Sequence, residues 1–479
     1  MLIEDLYRPR WHERMQEVIK NMVNSVISDD QILINEIKEW EQSDKRNMML
    51  IGDRYYRNKM DINKKQQVIR WKSNIKLTHG FVKKLVDQKI GYVLSKEPSI
   101  STENESYQEK LDEFFDDGML NKLKKIGKEA INKGVSYLYP YINEDGNLSF
   151  IRFPSEQVIV FYSDIERMKI DSFIRVFEIN YYDGMEKRKQ KKVEYYHSNG
   201  INYYVLENDH LIPDVPAGVE QNYHFLIGNK PRLWEKIPLI HFRYNEEEQP
   251  LVELIKSLVD NYNTQASTNS DVLADIPNFV YKIINYGGVD LEEFLDDLNR
   301  YRAVKTDEGG DVDKLTSDLQ TDSVEKELDR TRKAIYEFGR GVDTTVEDLG
   351  NASGVALKYR YSDLDLDCNM FEAEMKSSIE HMMWFYSHYL AMIGQGDFTE
   401  EKVKFTFNRD IIINEAEAIE STKNSVGILD DQTVRENHPW YTKEVEERLK
   451  KQKEEEQNAF DNYNETFRQK NSGGIDDQE

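Results

Sequence analysis

The apolar positions of this chain change period along its length, and the changes mark out its elements. Trp11, Met15, Val18, Ile19, Met22 and Val26 recur at three- and four-residue spacing, which predicts a helix near the start. Ile32, Ile34, Ile37 and Trp40 predict a second over 29–42. Ile75, Leu77, Phe81, Leu85, Val86 and Ile90 predict a helix over 68–95, and Leu111 to Ile131 predict one over 107–138. From about 135 to 243 the pattern shortens to alternating or clustered runs such as Val158-Ile159-Val160-Phe161 and Phe173-Ile174-Arg175-Val176-Phe177. Turn signals separate the runs: Asn143-Glu144-Asp145-Gly146, Asp183-Gly184 and Ser198-Asn199-Gly200. These predict antiparallel strands joined by hairpins.

Helical spacing returns after Pro250 and continues to about Asp275, a length of about 39 Å. A small mixed unit is expected at 277–321: a strand at Phe279–Ile283, a helix around Leu291–Leu298, and a strand at Ala303-Val304. Asp322 and Glu325 read as the cap and third residue of a helix that stops at Gly339 and Gly341. After a polar stretch, Ser353 caps a helix running without proline to about Met392, about 60 Å long. A strand at Val403–Phe407 and a helical section over 414–469 follow, and the tail from Asn471 reads as disordered.

Composition narrows the function. With 479 residues, several domains are expected. Lys and Arg total 64 against 89 Asp and Glu, a net charge of −25, where a protein that grips DNA by its phosphates needs a basic face. Acidity fits ordinary solubility first, and does not exclude a wall past which DNA slides without sticking. One cysteine, Cys368, excludes a disulfide framework within the chain. There is no signal-like start and no apolar run of the ~18–20 residues a bilayer requires, which predicts a soluble chain made in the cytoplasm.

Catalytic patterns are missing. Gly127-Lys128 is followed by Glu129 and has no glycine five residues before it, so no phosphate loop forms. His381 and His388, seven apart in an aromatic helix, read as core or surface residues rather than metal ligands. Glu292-Glu293 and Asp296-Asp297 read as the solvated face of a short helix. No catalytic residue, metal ligand or cofactor is therefore assigned. Periodicity and composition alone suit a purely structural scaffold and do not name the function; a DNA-processing enzyme such as a nuclease is the competing reading.

Several stretches resemble the portal proteins of tailed phages, in particular long-tailed phages of Gram-positive hosts. Ile51-Gly52-Asp53-Arg54-Tyr55-Tyr56-Arg57-Asn58-Lys59-Met60-Asp61-Ile62 is similar to a family segment in which two aromatics precede a His-Asp-Ile-like end, with Met60 where His is common. Val86-Asp87-Gln88-Lys89-Ile90-Gly91-Tyr92 is similar to a Val-Asp-x-Lys-x-Gly-Tyr segment. Gly350-Asn351-Ala352-Ser353-Gly354-Val355-Ala356-Leu357-Lys358-Tyr359 is the most specific match, and Ile428 to Val434 with Trp440 to Arg448 resemble the closing helices.

The resemblance implies a mainly α fold with an α+β portion, arranged as wing, stem, clip and crown and assembled as a ring of about twelve subunits. It implies a wing over 1–248, stem helices over 249–276 and 322–342, and a clip over 277–321. The tunnel loop would be 343–353, a long helix and strand 354–412, and the crown 413–479. The ring would be a non-enzymatic channel at one capsid vertex of the virion, for packaging and ejecting double-stranded DNA and for nucleating procapsid assembly. Implied partners are the terminase, a head-completion or connector protein, and the major capsid and scaffolding proteins, with no membrane. The implied DNA-facing residues are Thr344, Thr345, Val346, Glu347, Asp348, Leu349, Gly350 and Asn351, which include no Lys or Arg. The implied clip docking surface is Glu292, Glu293, Asp296 and Asp297. Gly339-Arg340-Gly341 and Ser353-Gly354 are expected to act as swivels at the two ends of the loop.

Overall fold

A computed structural model of the protein describes residues 29–67, 72–167, 169–275, 280–284, 308–315, 321–345, 354–409, 415–436, 440–441, 445–446 and 448–452, with Glu292, Arg300 and His438. The helix expected near the start, on the apolar positions Trp11 to Val26, lies outside them. The next pattern forms two helices, α1 (Asp29–Gln42) and α2 (Asp44–Tyr56). Ser43 separates them: its backbone is extended, and its side chain accepts a bond from Arg46 N to cap α2.

The helix expected over 68–95 begins only at Phe81, as α3 (Phe81–Leu94). The apolar spacing of Ile75 and Leu77 misleads, because the backbone N–H groups of Ser73, Ile75, Leu77 and His79 have partners elsewhere in the chain, described below. The helix expected over 107–138 is likewise two, α4 (Glu105–Phe114) and α5 (Asp117–Lys133). Asp116 is extended and its carboxylate caps α5 by accepting from Met119 N at 2.7 Å. Gly134 ends α5 at φ 83° because a Cβ there would lie 1.9 Å from the Glu248 carbonyl oxygen.

The strands follow as the alternation predicts. Strands β2 (Val135–Ile142) and β3 (Leu148–Phe153) pair with β12 (Ile240–Arg243) in the order β12-β2-β3. A second antiparallel sheet runs through β4 (Val158–Tyr162), β5 (Ile170–Asp183), β6 (Glu186–His197), β7 (Gly200–Glu207) and β8 (His210–Pro213), with β9 (Glu220–Gln221) beside β7. The short pair β10 (Phe225–Ile227) and β11 (Lys230–Arg232) stands apart. Turns at Asn143–Gly146, Asp183-Gly184 and Ser198-Asn199 fall where their residues predict. Leu33, Ile34 and Ile37 of α1 pack on Ile159, Ile174, Val176 and Val193 of the larger sheet. Met49 of α2 joins Tyr137, Phe153, Phe173 and Tyr196 in a second core, where Phe173 and Tyr196 stack with centroids 4.2 Å apart.

After Pro250 comes α6 (Leu251–Asp275), then the antiparallel pair β13 (Val280–Ile284) and β14 (Asp311–Leu315). The partner of β13 is therefore 311–315; the strand expected at Ala303-Val304 and most of the helix expected at Leu291–Leu298 lie outside the described residues. Helix α7 (Thr321–Phe338) starts one residue before Asp322, which sits inside its first turn rather than at its cap. Helix α8 (Gly354–Met392) is continuous over 39 residues. Strand β15 (Lys404–Thr406) pairs with β1 (Ser99–Ser101), an element the sequence patterns did not predict.

Contacts divide the chain into two units, 1–343 with 363–410, and 344–362 with 411–479. In the first, α6 packs along α7, and the 363–392 part of α8 lies against α3, α5 and β12. In the second, the expected long helical section resolves into α9 (Glu415–Asn424) and α10 (Asp431–Glu436), separated by a turn with Gly427 at φ 87°. Residues after 452 lie outside the description. His381 is half-buried in the first unit, and the loss of solvent around it, then the nearby Lys236, pushes its pKa down to about 3. His388 places Nδ1 2.8 Å from the Trp384 carbonyl oxygen. Among the described residues no cluster of His, Cys, Asp and Glu is arranged to hold a metal ion, and no helix is long and apolar enough to cross a membrane.

Candidate functional site: a clamped helix pair and the base of a loop

The segment between α2 and α3 is a polar strap along α6. Four alternate backbone N–H groups of the strap donate to four side chains spaced one helical turn apart. Ser73 N bonds Asp275 at 2.7 Å, Ile75 N bonds Asp271 at 2.6 Å, Leu77 N bonds Ser267 at 3.0 Å, and His79 N bonds Asn263 at 3.0 Å. The match is geometric. Two extended residues advance about 6.6 Å and four helical residues about 6 Å, so an antiparallel strap keeps step with the helix for four rungs. Each rung contributes on the order of 1 kcal/mol, more where the acceptor is a carboxylate. Lys65 adds an ion pair to Asp271 at 2.6 Å; that bond and the Ile75 N–H hold the Asp271 carboxyl below its usual range. The i, i+4 series Asn263, Ser267, Asp271 and Asp275 was visible in the sequence as a polar stripe, but nothing local marked it as a binding edge.

The start of the strap is tied more tightly. Tyr55 of α2 donates to Asp61 at 3.0 Å and to Asp260 of α6 at 2.6 Å. Lys256 reaches both carboxylates, at 2.8 and 2.6 Å, and Arg54 reaches Asp61 at 2.7 Å. Burial alone would raise the Asp61 pKa; the bonds from Lys256, Arg54 and Tyr55 outweigh it and lower it well below the carboxylate range. Burial, then the bond to Asp260, raises the Tyr55 pKa. Asn263 contacts Met60 Sδ at 2.8 Å. Gly52 lets α2 lie against α5, because a Cβ there would sit 1.9 Å from the Asn132 carbonyl oxygen. Thus the segment 51–62, conspicuous in the sequence, is a knot between α2, α5 and α6.

The segment Val86–Tyr92 holds the other end, where α7 stops and the polar loop begins. Gly341 N bonds the Tyr336 carbonyl and Arg340 stands at φ 48°, a left-handed helix terminus with arginine where glycine is usual. Gln88 grips the next residue twice: Nε2 donates to Val342 O at 3.0 Å, and Oε1 accepts from Val342 N at 2.9 Å. Lys89, 1% exposed, donates to Arg340 O at 3.0 Å and to Asp367 of α8 at 2.6 Å. Tyr244 donates to the same Asp367 oxygen at 2.6 Å. Asp343 is held bidentately by Arg332 of α7 at 2.7 and 3.0 Å. Tyr92 donates to Asp365 at 2.7 Å, and Arg409 ties Asp365, Asn369 and Glu372 together.

This base is a clamp, which corrects the expectation that Gly339 and Gly341 are swivels. Neither has a positive φ. A Cβ at Gly341 would lie 2.1 Å from Leu85 Cδ2, and one at Gly339 would lie 2.7 Å from Leu85 Cδ1 and 2.6 Å from Ile335 O. Both glycines are there for close packing on α3, and the conformational strain is carried by Arg340.

Of the expected DNA-facing residues, Thr344 and Thr345 form an exposed turn directly after this base in the chain. Val346, Glu347, Asp348, Leu349, Gly350 and Asn351 lie outside the described residues. Of the expected docking surface, Glu292 is helical and exposed, and Glu293, Asp296 and Asp297 lie outside. The polar groups of the clamp are satisfied by one another and by backbone, so the arrangement serves to position segments.

The family described as "Phage portal protein, SPP1 Gp6-like" matches residues 35–459. The portal protein of Bacillus phage SPP1 is 30% identical over 459 residues, spanning 92% of this chain and 90% of that protein. The portal protein of Clostridium phage phiCD119 is 26% identical over 447 residues, spanning 88% and 96%. A chain from the neck of an empty gene transfer agent particle aligns with a TM-score of 0.43 at 13% identity, over 74% of this chain and 89% of that one. The match runs through the knot at 51–62, the clamp at 86–92 and the strapped helix, and the chain belongs to the SPP1 Gp6-like family of phage portal proteins.

Proposed function

We propose that about twelve copies of the chain close into a ring at one capsid vertex, with α6 and α7 as the stem around a channel for double-stranded DNA. The observation that supports assembly lies on the clamped pair. Leu254 and Leu273 of α6 and Phe338 of α7 remain 40%, 51% and 58% exposed in the single chain. Side-by-side packing of copies would remove this apolar surface from water. Residues 277–321 form the clip, where ten acidic side chains against five cationic ones favour a basic docking surface on the terminase and later on a connector protein. The wing, 1–248 with 354–412, faces the capsid and scaffolding proteins, and 413–479 form the crown. Mass measurement and negative-stain images should show rings with a central hole; a stable monomer at micromolar concentration overturns this.

The segment 343–353 is the tunnel loop. It carries Glu347 and Asp348 and no cation. A duplex has one negative charge per ~1.7 Å, so a collar of these loops repels it weakly from all sides and leaves no binding minimum to stall movement. Glu347→Lys with Asp348→Lys should shorten the DNA packaged per procapsid, most strongly at low salt, where phosphate contacts strengthen. Alanine at both positions should be much milder. A double lysine variant that packages like the parent at low salt overturns the channel assignment.

A further inference from the structure

A cavity of about 180 Å³ lies between α1, the start of α2, β2 and β4. Its walls include Trp40, Tyr137 and all five residues of β4, Val158 to Tyr162. Strand β4 is an edge of the larger sheet, and among the described residues its ladder is with β5 alone. The cavity therefore runs beside an unpaired edge. Proteins keep such edges from pairing with other chains by covering them with a helix or loop. The rim is apolar too: Ile165, between the lining residues Asp164 and Arg167, is 64% exposed. A space of ~150 Å³ admits a benzene ring, so this one has room for a large apolar side chain.

The chain carries a suitable cover just before α1. On a helix, Trp11, Met15, Val18, Ile19, Met22 and Val26 share one face about 100° wide, and Glu13, Glu17, Lys20 and Asn24 fall opposite. The junction with α1 sets the direction. Ser28-Asp29-Asp30-Gln31 has the spelling of a capping box at the start of α1. Ile27 and Ile32 have the spacing of the apolar pair that fixes how a chain enters a helix. The lining residues Glu36 and Trp40 follow Ile32 in steps of four, on the same side of α1. If the chain turns back at Ser28, equal rise per residue brings about residues 16–20, with Val18 and Ile19, opposite Glu36 to Trp40.

We propose that residues 11–26 dock as a helix antiparallel to α1 of the same chain, with the stripe from Met15 to Met22 seated on the cavity and over the edge of β4. The contact lies within one chain and does not depend on the ring.

The test uses the full chain with p-benzoylphenylalanine in place of Glu39, which is exposed on α1 beside the cavity. Illumination should join residue 39 to a peptide from residues 11–26, in a product that runs as a single chain on denaturing gels. Val18→Lys with Met22→Lys keeps good helix formers, and should remove most of that product without changing the circular dichroism. The same pair in the parent chain should speed amide exchange in β4 about tenfold. Glu17→Lys with Asn24→Lys, on the polar face, should do neither. Covalent dimers would make a second copy the occupant, and a product with a different polypeptide would mean that the edge takes up a partner's strand; either result overturns the proposal. So does illumination that yields no product with residues 11–26, or a product that Val18→Lys with Met22→Lys leaves unchanged.

Discussion

Lys89→Met is expected to destabilise the chain by about 3–5 kcal/mol, because it leaves one half of a buried ion pair behind. The methionine keeps the length of the side chain and loses both of its bonds. Asp367 then retains Tyr244, at 2.6 Å, and a distant Arg340 guanidinium, at 3.6 Å, in a site with little access to water. The Arg340 carbonyl loses its donor at the residue that already pays for a left-handed backbone. The double variant Lys89→Met with Asp367→Asn should recover most of the loss, since an amide still accepts from Tyr244 and leaves no buried charge. Denaturation midpoints of the two singles and the double measure this; a double variant no better than Lys89→Met would show that the charge is not the cause. A functional readout separates positioning from stability. At a temperature where the variant stays folded, rings should form while DNA packaging falls, because the base of the loop at 343–353 is then held to α3 through Gln88 alone.

Much of the architecture was legible because it is local. Asp183-Gly184 and Ser198-Asn199-Gly200 supply the backbone freedom hairpin turns need, Pro250 suits a first helical turn, and the run from Gly354 to Met392 contains no breaker. What failed was set by distant partners. Ile75 and Leu77 carry an apolar pattern, yet their N–H groups are taken by Asp271 and Ser267 about 190 residues further on, so no helix forms there. Between Phe115 and Asp117 the apolar spacing passes straight through, and only the Asp116 cap reveals a break. The site divides the same way. Lys89 was visible as one letter of a resembling segment, but its partner Asp367 stands 278 residues away, and no periodicity links them. The loop and clip residues rest on the resemblance to portals; the knot at Tyr55 and the clamp at Gln88 and Lys89 come from the fold.

Glu248→Gln should cost about 3 kcal/mol near neutral pH, and the cost should fade in acid. Glu248 stands at φ 55°, 3% exposed, in the turn that carries the chain from β12 to α6. Its carboxylate pairs with Lys45, with Arg243 at 3.2 Å and, more loosely, with Arg167 at 3.9 Å. Burial would raise its pKa; Lys45, Arg243 and Arg167 outweigh that and hold it at about 2, against an ordinary 4.5. The lowered value fixes the sign. The unfolded chain takes up a proton here at higher pH than the folded one, so the stabilisation is complete above pH 4.5 and is lost as pH falls towards about 2. The amide variant has no such proton. Its melting temperature should lie below that of the parent by a constant margin from pH 7 down to pH 5, and the margin should close as pH falls further. Neighbouring His241 interacts with this carboxylate: burial, then Arg243, lowers its pKa to about 4 while Glu248 raises it. In the amide variant protonating His241 therefore costs more below about pH 4, and the margin closes less completely than Glu248 alone would give. A margin that stays constant to pH 3 would mean that Glu248 acts through its backbone turn and not through its charge. Because that turn sets the direction in which α6 leaves the sheet, the variant should also assemble into rings less completely than the parent at neutral pH, and the difference should shrink in the acid range where the parent has lost the same charge.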